Sequence, residues 1–99
     1  MNQYILKDCV PVLEPDILAF AKWFHDSNNR ILGQVEVADG IRVSTIFLGF
    51  DHQYGRGEPV LWETMVFGGK FDQEQVRYSS DAEARSGHIA MVERVKETI

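Results

Sequence analysis

The sequence predicts an α+β domain: a four-stranded antiparallel β-meander, with room for a short fifth strand at the N-terminus, and two helices packed on one face. Three observations lead there. Asp39-Gly40 stands between two β-rich runs, the signature of a two-residue type I′ hairpin turn. Residues 16–25 and 81–99 carry apolar side chains at helical spacing, on either side of the strand-rich middle. No repeat, low-complexity stretch or Pro/Gly/Ser linker divides the 99 residues, so they read as one domain.

Taken in order, residues 4–6 suit a short first strand. Pro11 and Pro15 bracket a turn, and Pro15 fits the first turn of a helix, where its missing N–H has no intrahelical partner. In the helix over 16–25, Ile17, Phe20, Ala21 and Phe24 make one apolar stripe, and Ser27-Asn28-Asn29 ends it. The hairpin comes next, with Ala38 facing Ile41 and Val37 facing Arg42. That register puts Ile31, Val35, Val37, Ile46, Leu48 and Phe50 on the core face, with Arg42 and Ser44 among them. The other face holds Leu32, Gln34, Glu36, Val43, Thr45 and Phe47, and is half polar. A third strand over 60–67 is largely apolar on both sides, Val60, Trp62, Thr64 and Val66 against Leu61, Glu63, Met65 and Phe67. With helices on one face only, the second face needs a ligand or a partner to cover it, and a homodimer is expected.

Gly68-Gly69 breaks that strand, and 75–78 returns as a fourth. Ser80-Asp81-Ala82-Glu83 is a capping box that opens the last helix at Asp81. Its buried stripe is Ala84, His88, Met91, Val95 and Ile99, widened by Val92. Gly87 costs roughly 1 kcal/mol in a helix interior, which close packing against the sheet explains.

Composition excludes several classes of function. A net charge of −5 with scattered Lys and Arg lacks the basic footprint of a nucleic-acid binder. No apolar run approaches the ~20 residues of a membrane span, and the N-terminal residues lack the basic start and apolar core of a signal peptide. Cys9 is the only cysteine, which rules out an intrachain disulfide and suits a reducing, cytoplasmic compartment. Six Phe, two Trp and three Tyr exceed what a minimal core requires, leaving rings for an interface or a pocket.

Few residues carry chemistry. His88 is either a packed, hydrogen-bonded histidine or a ligand-binding or acid–base group. Asp51-His52 opens a loop with Tyr54, Gly55, Arg56 and Gly57, where Gly-Arg-Gly can present N–H groups and a guanidinium to an anion. Glu63, among apolar neighbours, must be paired, protonated or near an edge, with Arg42 and Arg77 as partners. Asp51, His52, Glu63 and His88 are of types that suit zinc or manganese, but without metal-ligand spacing, so no metal is expected. Cys9 stands in no nucleophile motif, and no Walker or dinucleotide signature occurs, so no cofactor is implied.

Three stretches stand out together: VSTIFLG at 43–49 running into Asp51-His52; LWETMVFGG at 61–69; and Arg77-Tyr78-Ser79 with Ala84, Gly87-His88 and Met91. Over about residues 42–95 the chain resembles a group of small proteins encoded by double-stranded DNA phages and prophages, with the Trp23-Phe24 helix more loosely alike. That resemblance implies a setting, the cytoplasm of a bacterial host, in which small accessory proteins counter host defences by blocking a protein or sequestering a nucleotide signal.

The leading expectation is a non-enzymatic, dimeric phage accessory protein that binds a nucleotide-like small molecule at the half-polar sheet face or its edge. Thr45, His52, Glu63, Arg77, Tyr78 and His88 are its expected ligand-binding residues. Tyr78 or Trp62 would stack on the base, Arg77 or Arg56 would hold phosphate, and Thr45 and Glu63 would hydrogen-bond base or ribose. Two rivals stand beside it: an inhibitor that binds a host protein, and a small hydrolase using Asp51, His52, Glu63 and His88.

Overall fold

The chain begins with a ribbon of two strands, β1 (Tyr4–Lys7) and β2 (Val10–Leu13), joined through Asp8 and Cys9 in left-handed backbone conformations. A computed structural model describes residues 2–53 and 57–99. Where the sequence suggested only a turn between Pro11 and Pro15, β2 pairs Pro11 with Leu6. Each strand of such a ribbon has a free edge, so a residue without an N–H is tolerated there. A bridge between Gln3 and Phe50, with the Tyr4 N–H donating to the Gly49 carbonyl at 2.7 Å, ties the ribbon to the main sheet.

Helix α1 (Ile17–His25) starts where Asp16 accepts the N–H groups of Leu18 and Ala19. Pro15 therefore lies just outside the helix. The apolar stripe is also rotated from the expected one: Ile17 is 65% exposed, while Phe20 is buried against Phe24 and Phe50. Trp23, rather than Ala21, completes the contact face, its ring meeting Phe47 edge-on at 5.8 Å. A single 3-10 turn, Ser27–Asn29, then ends the segment as Ser-Asn-Asn suggested.

The main sheet is antiparallel in the order β3 (Ile31–Ala38), β4 (Ile41–Phe47), β5 (Trp62–Phe67) and β6 (Gln75–Tyr78). Helix α2 (Asp81–Lys96) packs across all four strands. With the separate ribbon and α1, this is an α+β fold. Ser80 caps α2 as its sequence requires, accepting the Glu83 N–H at 3.1 Å while its hydroxyl donates to the Glu83 carboxylate at 3.0 Å. Ala84, Met91 and Val95 are buried beneath α2, but Ile99 lies past the helix end and is 68% exposed.

The structure keeps Val35 and Val37 of β3 on the core side, as expected, but reverses the expected faces of β4. Val43, Thr45 and Phe47 are fully buried under α2, next to Val66, Thr64 and Trp62 of β5. Arg42, Ser44 and Ile46 point to the open side instead, as do Glu63, Met65 and Phe67. Ala38 does face Ile41, but Glu36, not Val37, pairs with Arg42. Register shifts at Val37 and at Leu32 each place an extra β3 residue against β4. Both extra residues pack into the helix-side core: Val37 with Val43 and Met91, Leu32 with Phe47 and Trp62. Simple alternation cannot follow a strand that slips twice.

The open face is less apolar than expected. β5 starts at Trp62 rather than residue 60, and Phe67 is 38% exposed with the Arg42 guanidinium 4.7 Å above its ring. Among the described residues, no helix is long and apolar enough to cross a membrane.

Candidate functional site

The six expected ligand-binding residues fall into three places. Thr45, Tyr78 and His88 meet in one buried network beneath α2. Thr45 and Thr64 are direct cross-strand partners, and their hydroxyls lie 2.5 Å apart. Tyr78 donates to Thr64 at 3.1 Å, and His88 Nδ1 lies 2.6 Å from the Thr45 hydroxyl. The network closes when each hydroxyl hydrogen passes one step inward, from Tyr78 to Thr64 to Thr45 to His88. Nδ1 then accepts, and the ring hydrogen sits on Nε2.

Two glycines allow this approach. Gly33 is the β3 partner of Thr45, and a Cβ there would come within 2.8 Å of His88 Nε2. Gly87 lies against Tyr78, where a Cβ would overlap the phenol. Close packing thus accounts for the glycine inside α2. Burial pushes the His88 imidazole below its ordinary pKa of 6.5, so the ring is neutral at pH 7.

Glu63 and Arg77 form the second group, on the opposite face of the sheet. They are cross-strand partners, and Arg77 Nε donates to the Glu63 carboxylate at 2.9 Å. That pairing satisfies the carboxylate that the sequence flagged among apolar residues.

His52 stands alone at the base of the loop. Its Nδ1 lies 2.7 Å from the Phe50 carbonyl, which can only accept, so Nδ1 carries the hydrogen. Beside it, Asp51 staples the loop by accepting from Gln53 N–H at 2.8 Å and Val60 N–H at 2.9 Å. Tyr54, Gly55 and Arg56, named for their anion-binding potential, lie outside the described residues. The Asp51, His52, Glu63 and His88 set does not converge, because Glu63 and His88 lie on opposite sides of the sheet. Among the described residues, no group of three or more His, Cys, Asp or Glu side chains is placed to hold a metal ion.

A groove between α2 and the leading end of β3 brings together residues the sequence did not single out. Its inner part is a cavity of about 160 Å³ walled by Arg30, Arg85, Asn29, Asp81, Phe47 and Trp62, among others. Its outer part, about 190 Å³, is lined by Leu32, Arg85, His88 and Ile89. Leu32 and Arg85 belong to both. Arg85 Nε donates to Asp81 at 2.6 Å, one helical turn back, and Asp81 holds the guanidinium firmly charged. Arg30 stacks on Phe24, 4.0 Å from the ring centroid, and its Nε donates to the Phe24 carbonyl at 3.0 Å.

Of the expected residues that are described, only His88 and the stacking candidate Trp62 line this groove. Trp62 is wholly buried, and its indole N–H has no hydrogen-bond partner among the described residues. Such a group costs about 1–3 kcal/mol if left unpaired. No local motif marks Arg30 or Arg85: one follows a helix terminator, and the other sits one residue after a core alanine.

Comparison with known proteins finds no family model, curated protein or solved structure that matches the chain.

Proposed function

We propose that this chain is a non-enzymatic binding protein that holds a small nucleotide-like ligand in the groove between α2 and β3. The observation that carries the reading is the meeting of two cavities at Arg85 and Leu32, with a second guanidinium from Arg30. Guanidiniums beside aromatic and aliphatic walls suit a ligand with phosphate at one end and a flat base at the other. His88, held in place by Thr45, forms part of the outer wall. The groove lies on the helix side of the sheet, where Leu32 and Phe47 of the expected half-polar face line it.

The resemblance to phage and prophage proteins extends the proposal to an accessory role in a bacterial host, in which sequestering a nucleotide signal blunts a defence. A second copy covering the open sheet face belongs to the same proposal, supported by the exposed Ile31 and Phe67. Light scattering at micromolar concentration tests that part, and a monomer mass refutes it.

Binding is tested by thermal shift and native mass spectrometry against linear, cyclic and ADP-ribose-derived nucleotides. A ligand at a hundred times its Kd stabilises the fold by about 2.7 kcal/mol, or roughly 10–20 °C at ~4–8 °C per kcal/mol. Arg85→Gln should remove most of that gain. No stabilisation across the panel, with only the bare chain mass detected, overturns the reading.

A further inference from the structure

We infer that the chain Tyr78–Thr64–Thr45–His88 is a two-way relay, which reverses the direction of its hydroxyl hydrogens when either end gains or loses a proton. It links the groove wall to strand β6 and does not depend on what the groove binds. Thr45 of β4 and Thr64 of β5 are direct cross-strand partners, their hydroxyls 2.5 Å apart. His88 of α2 closes one end, with Nδ1 2.6 Å from the Thr45 hydroxyl. Tyr78 of β6 closes the other: its direct partner is Trp62, and its hydroxyl reaches diagonally to Thr64 at 3.1 Å.

Both directions fill the same three hydrogen bonds. With a neutral ring the hydrogens run inward from Tyr78, and Nδ1 accepts. In reverse, Nδ1–H donates to Thr45, Thr45 to Thr64, and Thr64 to the Tyr78 oxygen. Each threonine donates once and accepts once either way, so neither array leaves a buried hydroxyl unpaired. Only the ends differ, because the Tyr78 hydrogen must then find an acceptor outside the chain. Thr45 and Thr64 are wholly buried, whereas His88 and Tyr78 are half-buried, so water reaches the ends and not the middle. A middle hydroxyl that turned alone would lose its partners, so the chain turns as a unit.

Two charge states force the reversal. A protonated His88 carries hydrogen on both nitrogens, so Nδ1 can only donate; an ionised Tyr78 has no hydrogen to give and can only accept. In the second case His88 stays neutral, and its single hydrogen moves from Nε2 to Nδ1 by exchange with water. The first case belongs to acid pH, because burial holds the ring below its ordinary value of 6.5. Around the ring, α2 brings Arg85, already paired with Asp81, into the same groove. β3 presents Leu32 and Gly33, and β4 presents Thr45, none of them charged. Glu36, Arg42, Glu63 and Arg77 lie on the other face of the sheet. His88 lines the groove, so by linkage a proton state set there is felt at Tyr78, and the converse holds.

The test is an NMR titration of the full chain, labelled with ¹⁵N and ¹³C and read at both ends. Signals are assigned with Tyr78→Phe and His88→Gln. At pH 8 the His88 ring is expected as the Nε2–H tautomer. As pH falls, the oxygen-bearing ring carbon of Tyr78 should shift with the same midpoint as His88. As pH rises until Tyr78 ionises, His88 should switch to the Nδ1–H tautomer, and Tyr78→Phe should lose that switch. Thr64→Val, which keeps the shape of threonine, should abolish both responses.

Either end titrating in the parent chain with no response at the other overturns the relay, whatever the fold of Thr64→Val. An Nδ1–H ring at pH 8 overturns it too, because the hydrogens would already run outward. A response that persists in folded Thr64→Val also refutes it, since the signal then travels by another route. Where acid unfolds the chain before His88 titrates, the alkaline limb decides.

Discussion

Replacing Thr45 with Val tests whether the buried hydroxyl network holds the sheet to α2. Valine keeps the shape of threonine, so no cavity opens. What disappears is one hydroxyl that lies 2.5 Å from Thr64 and 2.6 Å from His88 Nδ1. A typical hydrogen bond contributes about 0.5–1.5 kcal/mol net, and a buried group left unpaired costs about 1–3 kcal/mol. Thr64 keeps Tyr78 as a donor but loses the acceptor for its own hydrogen, and it is fully buried, beyond the reach of water. His88 is only half-buried, so water can serve its ring. The expected loss is about 2–4 kcal/mol, against a total stability of about 5–15 kcal/mol for a domain. Urea unfolding followed by tryptophan fluorescence reads this directly. A Thr45→Val, Thr64→Val cycle should give a coupling of about 1 kcal/mol or more, because the two residues share a hydrogen bond. A Thr45→Val stability within about 0.5 kcal/mol of the parent, the usual range for neutral surface changes, would refute the network as a structural element.

Three further outcomes are expected. Gly87→Ala should destabilise despite its better helix propensity, because the new methyl group overlaps the Tyr78 phenol; a raised melting temperature would contradict the packing described. His88 takes up a proton less readily in the folded state than when unfolded. Its contribution is therefore fully present above pH 6.5, the ordinary value, and falls as pH drops below it toward the lowered folded value. Denaturation at pH 5 and pH 8 should show a steeper acid loss in the parent than in His88→Gln, and parallel curves would sink the idea. Glu63→Gln removes the Arg77 ion pair on the open face, where Arg77 is 39% exposed. It should cost less than about 1 kcal/mol, and a larger loss on unfolding would mean that the pair is buried by something, such as a second copy.

Much of the local architecture was legible in the sequence because its signals are local. Ser80 and Glu83 cap α2 as their spacing requires, Asp39-Gly40 makes the turn, and the last strand occupies residues 75–78. The close contact at Gly87 was legible too, since a glycine inside a helix points to crowding. β2 was not, because Pro11 and Pro15 are turn residues and a free-edge ribbon suspends that rule.

The sequence by itself determined the helices and the strands other than β2, since turn geometry, capping and periodicity act over a few residues. Only the tertiary structure decided which way the sheet faces. Two register slips in β3 break the alternation, and a pair of threonines passes for core because each hydroxyl satisfies the other. The structure also split Glu63 and Arg77 from Thr45, Tyr78 and His88, because neighbours along a strand point to opposite faces. It gathered Arg30, Trp62 and Arg85 around one cavity from three separate elements. Residues 30, 62 and 85 share no local pattern, and only the packing of α2 on the sheet brings them to the wall of one cavity.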